Sequence, residues 1–241
     1  MMKRLFTTLI LLAILGGLGF WGYTAVVNHQ ININHWFVGG MTRGVDLSSY
    51  QGEVDMARLA EQNVSFAYIK ATEGGSYRDT KFAANWRAAE EANLPSGAYH
   101  FFSYGVSGVE QAMNYIETVG DLTGRLVPVV DMELSRDEKK SPPEKSEVVA
   151  SLKSFLAVIE EEYQVKPLIY ATKEYYEKYL KDDFSAYPRW VRSVLWPVYI
   201  EAGDDWVVWQ YDDHGKLDGY KGEEEYIDLN VVKNLDTLRM K

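Results

Sequence analysis

Residues 127–134 read VPVVDMEL, an apolar run with the look of a buried strand that carries two acids, Asp131 and Glu133, separated by one methionine. Alternate side chains of a strand share a face, so a rise of about 3.3 Å per residue sets the two carboxyls side by side, roughly 7 Å apart. An unpaired ionised carboxylate is costly to bury, and two adjacent ones push at least one pKa upward. The stretch therefore marks either a site or an ion-pair network at the end of a core strand.

Working outward, further extended apolar runs alternate with helical patterns. The extended runs are GVDLS (44–48), FAYIKAT (66–72), GAYHFFS (97–103), LVPVVDMEL (126–134) and PLIYA (167–171). Between them VDMARLAEQ, TKFAANWRAAEEA and SGVEQAMNYIETVG carry apolar residues at helical spacing, and over 145–163 Val148, Leu152, Phe155, Leu156, Ile159 and Tyr163 fall on one stripe. This alternation predicts βαβ units and a parallel sheet. After Ala171 one more helix fits near 172–181, and then RWVRSVL, WVVWQYD (206–212) and EYIDLNV (225–231) follow with polar spacers too short for a crossover helix. Eight extended segments and about five helices in residues 42–241 fall short of the roughly 250 residues of a complete (β/α)₈ unit. The expected fold is thus α/β: a flattened, incomplete TIM-like β/α barrel whose last third has lost its helices. EKKSPPEKSE (138–147) reads as a charged loop directly after the acidic pair.

The N-terminus predicts location. After MMKR, residues 5–27 (LFTTLILLAILGGLGFWGYTAVV) are uncharged and long enough to cross a bilayer as a helix. Lys3 and Arg4 favour a cytoplasmic N-terminus, and Trp21 and Tyr23 suit an interfacial belt. A cleaved leader, which would release the chain to the periplasm or the medium, has a shorter apolar region and a small-residue site, for which Tyr23-Thr24-Ala25 is a weak match. The expectation is a cytoplasmic stub and signal anchor over 1–27, a polar linker over 28–41, and an extracytoplasmic globular domain over 42–241.

Composition excludes several classes. Acids outnumber bases 35 to 25, the formal charge is −10 and no Lys/Arg stripe appears, so nucleic acid is not an expected partner. The absence of cysteine removes disulfide, thiolate and Cys-ligated zinc chemistry. The 7 Trp and 17 Tyr offer flat amphipathic rings suited to sugar faces as well as to a core.

In an α/β barrel chemistry sits where the strands end at their C-terminal face. Asp46 ends the first strand, Glu73 follows the second, Asp131 and Glu133 end the fourth, and Asp228 lies in the last. Five acids from four strands would converge on one rim. A metal site finds only His100 nearby and no carboxylate–histidine spacing, so no metal or other cofactor is expected. An ion-pair network would use Lys70 and Arg192. Glycoside hydrolysis fits best, because it needs one carboxyl kept protonated as acid and another ionised, and close acids split their pKa values in that way.

GVDLSSYQG (44–52), AYIKATEGG (67–75), SGAYHFF (96–102), PVVDMEL (128–134), PLIYA (167–171), WVVWQY (206–211) and IDLN (227–230) together resemble, in order, the successive motifs of glycoside hydrolase family 25, the Chalaropsis-type lysozymes or N-acetylmuramidases. The resemblance implies a flattened barrel of eight strands and five helices. It also implies cleavage of the β-1,4 bond from N-acetylmuramic acid to N-acetylglucosamine in peptidoglycan glycan strands. By the same resemblance Glu133 is the general acid, Asp131 and Asp46 are the other catalytic carboxylates, and Asp228 and Glu73 are supporting acids of the groove. The motifs leave open whether configuration is retained or inverted; if the substrate's acetamido group attacks, Asp131 would orient it. Substrate-assisted chitinases also end a strand with D-x-E, but their D-x-x-D-x-D-x-E would place acids at Leu126 and Val129.

Tyr50, Tyr99, Tyr170, Trp209 and Tyr211 fall at strand ends, where they either bind sugar or pack. Gln210, a polar amide in an aromatic strand, needs a partner, either a sugar hydroxyl or a neighbouring acid. His100 reads as a satisfied core or rim histidine, and Lys70 as the partner of a barrel acid. WVRSV (190–194) departs from the family's usual W-V-A-x-Y. It places Arg192 where it can bind a carboxylate of the muramyl or peptide group, or simply lie on the surface. The competing class is a catalytically silent barrel that binds cell-wall glycan.

Overall fold

The computed structural model describes the backbone of residues 2–240, with side chains at residue 12 and residues 14–240. Nine strands form one sheet: β1 (Thr42–Leu47), β2 (Phe66–Glu73), β3 (Tyr77–Arg78), β4 (Ser96–Phe101), β5 (Val129–Asp131), β6 (Leu168–Thr172), β7 (Arg189–Arg192), β8 (Val208–Gly215) and β9 (Ile227–Val232). The order is β1-β9-β8-β7-β6-β5-β4-β2-β3, and β1 also pairs with β2. That extra pairing closes eight strands into a barrel, with β3 a short hairpin arm on β2. All eight extended runs of the sequence are barrel strands.

The helices are α1 (Met2–Val27), α2 (Met56–Glu61), α3 (Phe82–Glu91), α4 (Gly108–Val119), α5 (Arg136–Lys140), α6 (Lys145–Tyr163), α7 (Lys173–Tyr175), α8 (Lys181–Phe184) and α9 (Val198–Glu201), a π turn over Tyr176–Leu180 joining α7 to α8. The five predicted crossovers are α2, α3, α4, α6 and the α7–α8 stretch. On α6 the stripe Val148, Leu152, Phe155, Leu156 and Ile159 is buried against the sheet. Part of the charged loop after the acidic pair is instead helical, because Ser135 and Glu138 form a reciprocal capping box that starts α5. Where the sequence runs out of crossover helices the topology changes: β9 is antiparallel to both β8 and β1, since a short polar spacer can return a chain only as a hairpin.

Two apolar layers result. Outside the barrel, odd positions such as Val45, Ile69, Val191 and Trp209 pack under the helices. Inside, Phe66, Tyr68, Leu168, Trp190, Val208 and Val232 fill the lower half, so the interior is packed core rather than a pore. Tyr68 lies across Gly97 and Phe66 across Gly44, and a Cβ at either glycine would overlap those rings. The upper interior is left to polar residues.

α1 covers the stretch expected to span a bilayer. Most of the apolar first half of that span, residues 5–11 and 13, lies outside the described side chains, and among the described residues no helix is long and apolar enough to cross a membrane. The segment 28–41, read as a linker, is docked instead. It forms a 3₁₀ turn over Ile33–Trp36 in which Asn34 is fully buried, its amide donating to the carbonyls of Ser193 and Tyr211 at 3.0 Å. Asn32 donates to the same Tyr211 carbonyl, and His35 Nε2 lies 2.7 Å from Asp212 Oδ2.

Candidate active site

The groove at the C-terminal end of the barrel is lined by Asp46, Tyr50, Lys70, Tyr99, Phe101, Asp131, Glu133, Tyr170, Trp190, Glu224 and Asp228, among others. Period-two alternation explains the set: Asp46 on β1, Lys70 on β2, Tyr99 and Phe101 on β4, Asp131 on β5, Tyr170 on β6, Trp190 on β7 and Asp228 on β9 all point inward. Register then puts Asp46 opposite Asp228, Phe101 opposite Asp131, and Asp131 opposite Tyr170. Glu133 stands two residues beyond β5. Its carbonyl accepts a hydrogen bond from the Tyr104 hydroxyl at 3.1 Å, and its side chain divides this groove from a second, adjoining cleft lined by Lys139, Thr172, Tyr175, Arg192 and Trp196.

A relay of polar side chains holds Asp46. Trp190 Nε1 donates to Asn230 Oδ1 (3.0 Å), Asn230 Nδ2 donates to Asp46 Oδ1 (2.6 Å), Gln210 Nε2 donates to the same oxygen (3.1 Å), and Tyr170 donates to Gln210 Oε1 (3.0 Å). Burial pushes the Asp46 pKa up, while hydrogen bonds from Asn230, Gln210 and Asp228 pull it back. Asp228 is pushed well above the usual carboxylate range by burial and then by the charge of Asp46. Both effects favour a proton kept on Asp228 and shared with Asp46.

Asp131 and Glu133 form the second pair. Burial lifts Asp131 well above its ordinary value, the Glu133 charge adds to this, and Lys70 opposes it. Burial also raises Glu133, with Arg192 and Lys139 opposing. Both acids are raised, which favours one proton held between them. Asp131 Oδ1 is buried and has no hydrogen-bond partner among the described residues, whereas a buried acceptor is ordinarily satisfied.

Several sequence expectations change. Trp209 is no groove residue: it is buried on the outer face of β8, packed against Trp206 and Tyr211, its Nε1 donating to the Ser193 carbonyl. Trp209, Gln210 and Tyr211 are consecutive, and a strand cannot turn all three inward. Gln210 takes the inward place and binds an acid rather than solvent. Glu73 ends β2 outside the groove lining, ion-paired with Lys70 at 2.7 Å. Tyr50 is an exposed rim residue of the groove. Arg192 lies in the adjoining cleft, its guanidinium 2.6 Å from Asp213 Oδ2. His100 is a core residue, held between Thr72 and Gln111, and burial lowers its pKa to about 4.

Trp190, Asn230 and Glu224 were not foreseen. Trp190 and Asn230 were legible, since each sits two residues from a singled-out position, Arg192 and Asp228, and so shares its face. Glu224 reaches the groove from the β8–β9 loop, where its backbone N donates to the Tyr50 carbonyl, and no local pattern announces that.

Comparison with known proteins identifies the family of the barrel. The sequence pattern of the glycosyl hydrolases family 25 matches residues 45–220. The uncharacterized protein YegX of Escherichia coli (strain K12) is 32% identical over 217 residues, which cover 88% of this chain and 76% of that protein. A family 25 glycosyl hydrolase from Bacillus anthracis superposes with a TM-score of 0.74 at 41% identity, covering 80% of this chain and 88% of that one. A bacterial lysozyme from Streptomyces coelicolor gives 0.73 at 27% identity, covering 83% and 95%. With the family pattern matched over residues 45–220 and its barrel superposing on a solved member along most of its length, the chain belongs to the glycosyl hydrolases family 25 and is a glycoside hydrolase.

Proposed function

We propose that the protein is a muramidase that cleaves the β-1,4 bond between N-acetylmuramic acid and N-acetylglucosamine in peptidoglycan, with Glu133 as general acid and Asp131 and Asp46 assisting. The observation that carries this reading is the meeting of Asp46, Asp131, Glu133 and Asp228 in one groove, where burial raises the pKa of each. Before substrate binds, burial favours the shared proton of the second pair on Asp131. An acetamido N–H donated to the Asp131 carboxylate, which lines the groove, stabilises the ionised aspartate. The proton then resides on Glu133, where the glycosidic oxygen needs it. Asp46, ionised and held by Asn230 and Gln210, opposes the positive charge that develops on the sugar ring. Tyr99, Tyr170 and Trp190 wall the sugar site, Tyr50 sits at its rim, and Arg192 in the adjoining cleft offers a cation to a lactyl or peptide carboxylate.

The barrel is held outside the cytoplasm by the helix over 5–27, with Lys3 and Arg4 on the cytoplasmic side. The docking of residues 28–41 and the burial of Ala25 support an uncleaved anchor, because removal at Ala25 would cut into packed structure. A mature N-terminus found by mass spectrometry near residue 26 would show cleavage instead.

Full-length protein incubated with purified sacculi, followed by borohydride reduction and mass spectrometry, tests the chemistry. New reduced muramic acid ends are expected, and Glu133→Gln should lower their rate by a factor of about 10²–10⁴. Unchanged turnover in that variant removes Glu133 from the role of acid. Binding to sacculi without new ends would identify a silent wall-binding barrel.

A further inference from the structure

Three of the four histidines gather at the end of β8, far along the chain from where two of them start. His35 meets Asp212, and His29 and His214 both turn Nδ1 toward one oxygen, Asp213 Oδ1, at 3.5 and 2.7 Å. The two imidazoles stack at 4.2 Å between centroids. One ligand atom from each of the three residues can be chosen within 4.8 Å of the others.

We infer that His29, Asp213 and His214 form a binding site for a divalent transition metal of the zinc type, clasping the C-terminal end of α1 to the rim of the barrel. Tetrahedral sites with bonds near 2.0–2.2 Å hold their ligand atoms about 3.3 Å apart. The separations of 2.7 and 3.5 Å bracket that value, and rotation of the two rings out of their near-parallel stack, 28° between planes, turns both lone pairs onto one ion. Two imidazoles and one carboxylate suit zinc, cobalt or copper rather than calcium or magnesium, and three protein ligands leave a position open for water.

The ligands are also held from behind, as metal ligands usually are. Asp213 Oδ2 is taken by Arg192, leaving Oδ1 for the ion. The far side of His214 packs on the Tyr226 ring, 4.8 Å away. The pairing of β8 with β9 slips between Asp212 and Gly215, which lets the consecutive residues Asp213 and His214 reach one point. His29 sits just past α1 at φ +56°, a conformation that costs a non-glycine residue energy and is what aims its ring at β8. An ion there would join three elements: the N-terminal helix, the hairpin that closes the barrel and, through Arg192, the cleft beside Glu133. The inference is independent of the proposed substrate.

The test is a Co²⁺ titration of tag-free, chelator-stripped full-length protein in detergent micelles, read by visible d–d absorption, with Zn²⁺ as competitor. Saturation at one ion per chain and displacement by Zn²⁺ are expected. His29→Ala and His214→Ala should each weaken binding roughly tenfold or more, while His35→Ala, which removes a neighbouring dock outside the ligand set, should not. Far-UV melts matching the wild type establish that the variants fold. Hydrogen exchange supplies a second readout: Zn²⁺ should slow the amides of residues 28–36 in the wild type and not in His29→Ala. Absence of saturable binding by the wild type, or full binding by His29→Ala, overturns the inference.

Discussion

The acid cluster carries a stability cost that Asp228→Asn should relieve. Asp228 has an ordinary pKa of 3.8, and burial with the Asp46 charge raises it well above that in the folded protein. The folded chain therefore binds a proton that the unfolded chain releases, so stability falls as pH rises from about 4 through the folded-state pKa. Keeping the carboxyl protonated at pH 7 costs at most about 4 kcal/mol, being roughly three units at 1.36 kcal/mol each. Asparagine has the shape of the protonated acid, keeps a donor for Asp46, and pays no such cost. Urea unfolding of the variant at pH 7 should show a gain of about 1–4 kcal/mol, or a rise in Tm of about 2–4 °C per kcal/mol for a chain of this size. Below about pH 4 both states hold the proton, and the gain should vanish. Equal or lower stability at pH 7, or a gain that persists in acid, would refute the shared-proton reading of Asp46 and Asp228.

Two substitutions on β8 separate its faces. Gln210→Leu removes a donor from Asp46 and strands the buried Tyr170 hydroxyl, so urea unfolding should show a loss of about 2–5 kcal/mol; a loss below about 1 kcal/mol would show that the relay carries little. Trp209→Phe should cost about 1–3 kcal/mol by removing one of the two donors to the Ser193 carbonyl and opening a gap, with turnover of sacculi unchanged. A large fall in turnover at unchanged stability would return Trp209 to the groove.

Much of this architecture was legible because it is written in local periodicity. Asp131 and Glu133 betrayed the groove by their cost inside an apolar strand, Asp46 by ending a comparable run and Asp228 by interrupting one. The amide of Gln210 announced a partner, though which partner depended on Asp46, 164 residues away. What was misread lay where periodicity was not applied strictly or where contacts are non-local. Trp209 failed on alternation alone. Glu73 was placed by its strand end, but its charge is taken by Lys70 three residues earlier. The polarity of residues 28–41 suggested a tether, yet Asn34 uses that polarity to satisfy two barrel carbonyls. The capping box of α5 was present in the letters and masked by surrounding charge.

The antiparallel closure by β9 also sets the order in which the molecule can be completed. β1 pairs on one edge with β2, its neighbour in sequence, but its other edge waits for residues 227–232, so the longest-range strand pairing is also the one that seals the barrel, and such pairings are slow to form. Until then β1 presents an open strand edge, a template for association with other chains. The donors that hold Asp46, Gln210 and Asn230, arrive with the same hairpin. A chain still lacking its last strand thus has no amide donors for Asp46, and truncation before residue 227 leaves both an unsealed edge and an uncorrected buried charge.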